Sequence, residues 1–213
     1  MKSVPAAWRW AFVVLVAVVA LAVALWPRES GDGAPATPTA ASGGGGTVTD
    51  AQRDAADLAS CPRPHDGAST AAGPLATIDV ECLADGSSMA VGKSLAGRPA
   101  LLNLWAYWCE PCARELPALQ QYAGRAGDAL TVLTVHSDPD EGKGLARLRD
   151  LGVRLPGVQD GSGKVRTAVG APAVLPVSVL VRADGSIAKV VVRPFDSADD
   201  IAATVARELG VDV

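Results

Sequence analysis

The sequence predicts an α/β fold in which helices cover a central mixed β-sheet. Two continuous apolar runs, "PALLNLWAY" and "ALTVLTVHS", are typical of strands buried on both faces, and a segment of helical periodicity separates them. Because strand, helix and strand follow one another, these two strands are expected to be parallel. Two further pairs of alternating segments, each joined by the turn sequence "ADG", predict hairpins and so add antiparallel strands.

The chain of 213 residues begins with a segment that predicts export. Residues 1–9 carry Lys2 and Arg9, whereas residues 10–26, "WAFVVLVAVVALAVALW", carry no charge. As a helix this apolar run spans about 25 Å, near the lower limit for crossing a bilayer. We therefore expect a single transmembrane helix over residues 10–26, with residues 1–9 in the cytoplasm. The alternative is a signal peptide cleaved near "AVA", and under both interpretations the rest of the chain is extracytoplasmic.

Residues 27–48 are rich in Pro, Gly, Ser, Thr and Ala, and this composition predicts a flexible linker. The folded domain is expected over residues 49–213. The net charge of the chain is −4, and the basic residues ahead of the linker leave about −6 for the rest. This balance argues against nucleic acid as a partner, because phosphate binding requires a basic face.

The other elements follow in order along the folded domain. A short helix is expected to start at a cap formed by Thr49 or Asp50, ahead of the first hairpin. After the second buried strand, "DEGKGLARLRDLG" predicts a helix, and residues 160–170 predict a surface loop before the second hairpin. The last helix, "SADDIAATVAREL", is expected to be capped by Ser197 and to end at Gly210.

Cys109 and Cys112 form a C-x-x-C motif where a buried strand ends and a helix begins. Free N–H groups and the helix dipole stabilise a thiolate at that position, so Cys109 is predicted to be the attacking sulfur. Cys112 lies about one turn further along and is expected to resolve the mixed disulfide. Pro111 suits the first helical turn because its missing N–H needs no partner there.

Three other uses of this motif agree less well with the sequence. A zinc site needs a second pair of ligands, and no further C-x-x-C or nearby histidine is present. Covalent haem attachment needs a histidine directly after the second cysteine, where Ala113 stands. A purely structural bridge would close too short a loop to stabilise the chain much. We therefore predict a redox pair that needs no metal and no other cofactor.

These residues resemble the thioredoxin superfamily, and more narrowly its membrane-anchored, extracytoplasmic TlpA/ResA-like thiol-disulfide oxidoreductases. The segment "WCEPCARELP" is similar to that family's W-C-x-P-C-x-x-E-x-P, with Glu110 as in the ResA branch. The second similar element is "VLPVSVLVRADG", residues 174–185. The resemblance implies a thioredoxin-like three-layer sandwich with an N-terminal hairpin extension. We expect the domain to be monomeric.

The resemblance also implies roles for single residues. The Leu175–Pro176 peptide bond is expected to be cis and to face the C-x-x-C, where its backbone pairs with substrate; a trans proline opening an edge strand is the alternative. Glu115 is similar to an acidic residue of the ResA branch and is predicted to move protons to or from Cys112, the alternative being a solvated carboxylate. Asn103 stands where thioredoxin has a buried aspartate, and an amide cannot accept that proton. The other residues expected at the substrate surface are Trp108, Glu110 and Pro111, while Trp105 and Trp108 shield the site or belong to the core.

Cys61 and Cys82 are the remaining cysteine pair. In an exported domain two spare cysteines are more often bridged than free, so a structural disulfide is predicted. It would close a loop of about 22 residues and contribute roughly 3 kcal/mol. A second redox relay, or a metal site that also uses His65, are the alternatives.

The sequence thus predicts an extracytoplasmic thiol-disulfide oxidoreductase held at the cell membrane by one span. The resemblance implies that it reduces protein disulfides, for example in the maturation of apocytochrome c, and that a membrane electron donor recharges it. The alternatives are an oxidase or isomerase of exported proteins, and a metal-binding chaperone on the same fold.

Overall fold

The computed structural model of the protein describes residues 47–64 and 72–213. The predicted transmembrane helix, the segment before it, most of the linker and His65 all lie outside the described residues. Within the two described ranges, no helix is both long enough and apolar enough to cross a membrane.

Seven strands form one mixed sheet at the centre of the fold. They are β1 (Asp79–Cys82), β2 (Ser88–Ala90), β3 (Ala100–Trp105), β4 (Thr131–His136), β5 (Gly157–Gln159), β6 (Val177–Val181) and β7 (Ile187–Val191). Their order in the sheet is β2-β1-β5-β4-β3-β6-β7. The neighbours β3–β4 and β4–β5 are parallel and the remaining pairs are antiparallel, which confirms the predicted mixed sheet and both hairpins.

Six α-helices cover the sheet in the described part of the chain. They are α1 (Asp50–Ala56), α2 (Val91–Leu95), α3 (Glu110–Ala126), α4 (Glu141–Asp150), α5 (Lys164–Ala168) and α6 (Ala198–Leu209). Of these, α1, α3, α4 and α6 agree with the sequence, whereas α2 and α5 were not predicted. Thr49 caps α1 in a capping box, because its side chain accepts from the N–H of Gln52 and the Gln52 side chain bonds back. Ser197 caps α6, and Gly210 ends it with φ of 68°, a conformation that glycine adopts at little cost.

The core has two parts, one on each face of the sheet. Alternate residues of β3 point to opposite faces, as the strand period requires. Leu101 and Trp105 pack in the cluster that contains the buried side chains of α3, α4 and α6. Leu102 and Leu104 pack in the other cluster, with buried residues of the first hairpin, α2 and α5. Helices therefore lie on both faces, which is the thioredoxin-like α/β arrangement.

The expectation of a surface loop over residues 160–170 is wrong in part. The short helix α5 occupies the middle of this segment, and Asp160 is only 2% exposed. The Asp160 carboxylate accepts hydrogen bonds from the backbone N–H groups of Lys164 and Val165 at 2.7 and 2.9 Å. A side chain that bonds the first turn of a helix in this way fixes the loop against the domain.

Residues 47–64, the N-terminal arm, are attached to the domain by ion pairs, hydrogen bonds and a disulfide. The Arg53 guanidinium donates to the Glu141 carboxylate at 2.6 Å and to the Leu83 carbonyl at 3.0 Å, and both charged side chains are largely buried. Further along the arm, Cys61 is joined to Cys82. The bond to Leu83 and the disulfide to Cys82 both lie at the end of β1.

Candidate redox site

The cysteine pair lies where β3 ends and α3 begins. Cys109 is the N-cap residue of α3, and its Sγ accepts a hydrogen bond from the backbone N–H of Cys112 at 3.3 Å. The two residues form a disulfide with 5.3 Å between their Cα atoms. Cys109 is 4% exposed, whereas Cys112 is fully buried. The part of the pair that solvent reaches therefore belongs to Cys109.

The first turn of α3 carries charge. Glu110 is the first residue of the helix, and Pro111 follows it where a missing N–H costs nothing. The Glu110 carboxylate pairs with Arg147 of α4 at 3.0 Å and with Arg114 of its own helix at 3.9 Å. Glu110 thus connects α3 to α4 beside the disulfide.

The two tryptophans near the motif have different environments. Trp105 is fully buried in the core, whereas Trp108 is 60% exposed next to Cys109. The indole N–H of Trp108 donates to a carboxylate oxygen of Asp138, in the loop after β4, at 2.9 Å. Trp108 therefore presents an apolar surface in a fixed orientation at the rim of the site.

The Leu175–Pro176 segment lies at the same end of the sheet as the disulfide. Its peptide bond is cis, as the resemblance implies. β6 begins at the next residue, Val177, which is the register partner of Leu104 near the end of β3. Pro176 is buried, while Val174 is 51% exposed. The end of the sheet at which Cys109 lies thus also carries a loop with an exposed apolar residue.

Glu115 is a buried carboxylate on the same helix as the cysteines. It is 0% exposed, so the alternative of a solvated carboxylate is wrong. Its Oε1 accepts from the Asn103 amide at 2.6 Å, and its Oε2 accepts from the backbone N–H of Phe195 at 2.8 Å. Burial raises the pKa of Glu115 to about 7, although both hydrogen bonds and the charge of Arg193 act to lower the pKa. Glu115 follows Cys112 by three residues, so their side chains are neighbours on the buried face of α3.

Asn103 holds Glu115 from the sheet. Its Nδ2 donates to Glu115 and also lies 3.1 Å from the hydroxyl oxygen of Ser178, its register partner on β6. Its Oδ1 is buried and has no hydrogen-bond partner among the described residues. An acidic side chain and an amide therefore share a buried site beneath the helix that begins at the two cysteines.

The loop that carries Asp138 is held to the sheet by a hydrogen bond from Gln159 of β5. The Gln159 amide N–H donates to the Asp138 carbonyl at 2.7 Å, which leaves Gln159 Oε1 facing His136 Nδ1 at 2.8 Å. His136 therefore donates from Nδ1, and burial lowers its pKa, which favours the neutral ring. The ring packs against Trp105 with 4.8 Å between the ring centroids.

The second cysteine pair is bridged. Cys61 and Cys82 form a disulfide with 6.0 Å between their Cα atoms. Cys82 is fully buried, and Cys61 is partly buried with its Sγ 3.2 Å from the Gly157 carbonyl oxygen. In the described part of the chain, no group of three His, Cys, Asp or Glu side chains is arranged to hold a metal ion.

Four side chains at the site were not predicted from the sequence: Asp138, Arg147, Ser178 and Gln159. Asp138 follows a buried strand, which is a sequence signal for a residue at the active edge of a parallel sheet. Arg147 and Gln159 carry no such signal, because their contacts join segments that are far apart in the chain.

A disulfide at the N-cap of a helix, next to a parallel strand pair and a cis-proline loop, defines the class of this domain. It is a thioredoxin-like domain, and thiol-disulfide oxidoreductases are among the proteins to which it is similar. Residues 67–206 match the Redoxin family, and the chain belongs to that family.

Proteins of bacteria are among those similar to this chain. The thiol-disulfide oxidoreductase ResA of Bacillus subtilis is 30% identical over 100 residues, which are 46% of this chain and 55% of ResA. The soluble secreted antigen MPT53 of Mycobacterium tuberculosis is 32% identical over 95 residues, 45% of this chain and 54% of MPT53. The crystal structure of a secreted Mycobacterium tuberculosis disulfide oxidoreductase homologous to E. coli DsbE is 27% identical with a TM-score of 0.54, covering 62% of this chain and 96% of that one. The chain spans about half the length of the two curated relatives.

Proposed function

We propose that this protein is an extracytoplasmic thiol-disulfide oxidoreductase that reduces disulfides in exported proteins. The observation that carries the proposal is the Cys109–Cys112 disulfide at the N-terminus of α3, with the buried Glu115 one turn further along. We propose Cys109, Cys112 and Glu115 as the catalytic residues. Trp108, Glu110, Pro111, Leu175 and Pro176 are proposed to form the surface that receives substrate.

The reaction consists of two exchanges. The Cys109 thiolate attacks one sulfur of a substrate disulfide, that S–S bond breaks, and the departing thiolate takes up a proton. Cys112 then loses its proton and attacks Cys109 Sγ, which forms the Cys109–Cys112 disulfide and releases the second substrate thiolate. Two electrons pass to the substrate, and its two thiolates take up the proton released by Cys112 and one proton from solvent. A dithiol donor, proposed to be in the membrane, returns two electrons to the chain.

Glu115 is suited to move the proton of Cys112. Its pKa of about 7 lies near neutral pH, where a group both accepts and returns a proton readily. Asn103 cannot take this role, since its amide does not titrate. It orients the carboxylate instead.

The proposed substrates are exposed disulfides in extended segments, for which apocytochrome c is an example. Trp108 and Val174 give the rim of the site an apolar surface that flanking side chains of such a segment can cover. We propose that residues 10–26 anchor the chain in the membrane. The folded domain is proposed to cycle between its dithiol and disulfide forms as a monomer. The bridged Cys61–Cys82 pair is proposed to be structural.

The reduction potential tests the direction of electron flow. A reductant is expected to have a potential well below −200 mV when the chain is equilibrated with glutathione or dithiothreitol buffers. A potential near −120 mV, the value of a strong disulfide oxidant, would contradict the proposal and favour an oxidase of exported proteins.

A further inference from the structure

An acidic residue follows the proposed attacking cysteine in the chain. Glu110 follows Cys109 directly and is the first residue of α3. An ionised Glu110 and a Cys109 thiolate are both anions at the positive end of one helix dipole, so each disfavours the other. Whatever offsets the charge of Glu110 therefore also influences how readily Cys109 ionises.

Two arginines face Glu110, and they are held differently. Arg114 has a side chain that is 66% exposed, and its Nη1 is 3.9 Å from Glu110 Oε1. Arg147 has a side chain that is 34% exposed, and its Nη2 is 3.0 Å from Glu110 Oε2. The Nε of Arg147 is buried and has no hydrogen-bond partner in the described part of the chain. The protein around Arg147 thus restricts its guanidinium, so its pair with Glu110 loses less side-chain entropy than a pair of mobile groups.

We propose that Arg147 is a positioning residue for the redox pair: it holds the Glu110 carboxylate and offsets its charge, so that Cys109 ionises more readily than beside an unpaired carboxylate. The inference rests on the proposed function, because it gives Arg147 a role through the attacking sulfur. Without Arg147 the thiolate is less stable relative to the thiol, and the reduced chain is less stable relative to the disulfide. The reduction potential then becomes more negative.

The test is the pH dependence of Cys109 alkylation by iodoacetamide in the reduced full chain, followed peptide by peptide with mass spectrometry. In Arg147→Gln the pKa of Cys109 is expected to rise by about half a unit, which slows alkylation below that pKa about threefold. The equilibrium constant with glutathione should also change about threefold, or about 14 mV. The matched control is Arg149→Gln, since Arg149 lies on the same helix but pairs with Asp150 at 2.8 Å; its alkylation rate should equal that of the wild type.

Variants of Glu110 keep the test decisive if Arg147→Gln folds poorly. Glu110→Gln should act in the opposite direction and speed alkylation, and the double variant Glu110→Gln/Arg147→Gln should return close to the wild-type rate. An Arg147→Gln rate equal to that of the wild type, slower alkylation in Glu110→Gln, or equal slowing in Arg149→Gln would overturn the inference. Alkylation needs no protein substrate. Failure of the proposed function would instead be a wild-type chain that is alkylated normally but does not reduce protein disulfides.

Discussion

Replacement of Glu115 by glutamine should stabilise the oxidised protein, and the gain should grow with pH. Burial raises the pKa of Glu115 from 4.5 to about 7, so the folded chain binds its proton more tightly than the unfolded chain. Between these two pKa values stability falls as pH rises, because the unfolded state releases the proton first. Below pH 4.5 the raised pKa costs the wild type no stability, and above pH 7 it costs the full amount.

The size of the effect follows from the shift. A difference of about 2.5 pKa units corresponds to about 3 kcal/mol at pH 8, and about 1 kcal/mol of that is already present near pH 5. Glutamine can keep the contacts of the carboxylate: its oxygen accepts from Phe195, and its amide donates to Asn103 Oδ1 once the Asn103 amide turns over. The increase in the free energy of unfolding caused by Glu115→Gln should therefore be about 2 kcal/mol larger at pH 8 than at pH 5.

Urea unfolding of the oxidised wild type and Glu115→Gln at the two pH values measures this difference. The matched control is Glu81→Gln, because Glu81 is exposed and its removal should change the free energy of unfolding by less than about 0.5 kcal/mol at both pH values. A difference between wild type and Glu115→Gln that is the same at pH 5 and pH 8 would refute the raised pKa. A gain that is larger at pH 5 would contradict the sign of the linkage.

Two further predictions concern stability away from the redox pair. Replacing both Cys61 and Cys82 by alanine should lower the free energy of unfolding by about 3 kcal/mol, because their disulfide joins residues 21 apart in the chain. The folded variant should still reduce insulin. Loss of disulfide exchange in a folded variant would show that this pair is a redox relay. Gly144→Ala should lower the free energy of unfolding by about 1–3 kcal/mol, since the new Cβ would lie 2.8 Å from the His136 ring. In the control Gly142→Ala the nearest neighbour of the new Cβ lies at 3.5 Å, so urea unfolding should show a neutral or stabilising effect. Equal effects of the two glycine variants would exclude the steric explanation.

The sequence was sufficient for the elements that have a strong local pattern. β3 and β4 are continuous apolar runs, and Thr49, Ser197 and Gly210 are helix-end residues whose chemistry is local. β5 was not predicted, because three residues between a proline and a glycine-rich turn are too few to show a hydrophobic period. It forms only through pairing with β4 and β1, which is tertiary information.

The sequence indicates the motif residues of the candidate site but not the contacts that they make. The C-x-x-C motif and its place at a helix N-terminus are local features, and the cis bond before Pro176 follows from the resemblance. The contact between Asn103 and Glu115 joins a strand to a helix, and their shared buried position decides the pKa of Glu115. The pairing of Arg147 with Glu110 likewise depends on how α4 packs beside α3, which no spacing in the sequence records.

The most direct test of the central claim is to trap the mixed disulfide on Cys109. Reduced Cys112→Ser chain is mixed with an oxidised Cys-x-x-Cys-His peptide, the haem-attachment sequence of a c-type cytochrome. When N-ethylmaleimide blocks the freed peptide thiol, the proposed mechanism predicts a one-to-one adduct, which peptide mapping assigns to Cys109, and predicts that reduced Cys109→Ser forms none at a comparable rate. Absence of the adduct in folded Cys112→Ser, or an adduct on Cys112 in Cys109→Ser, would contradict it.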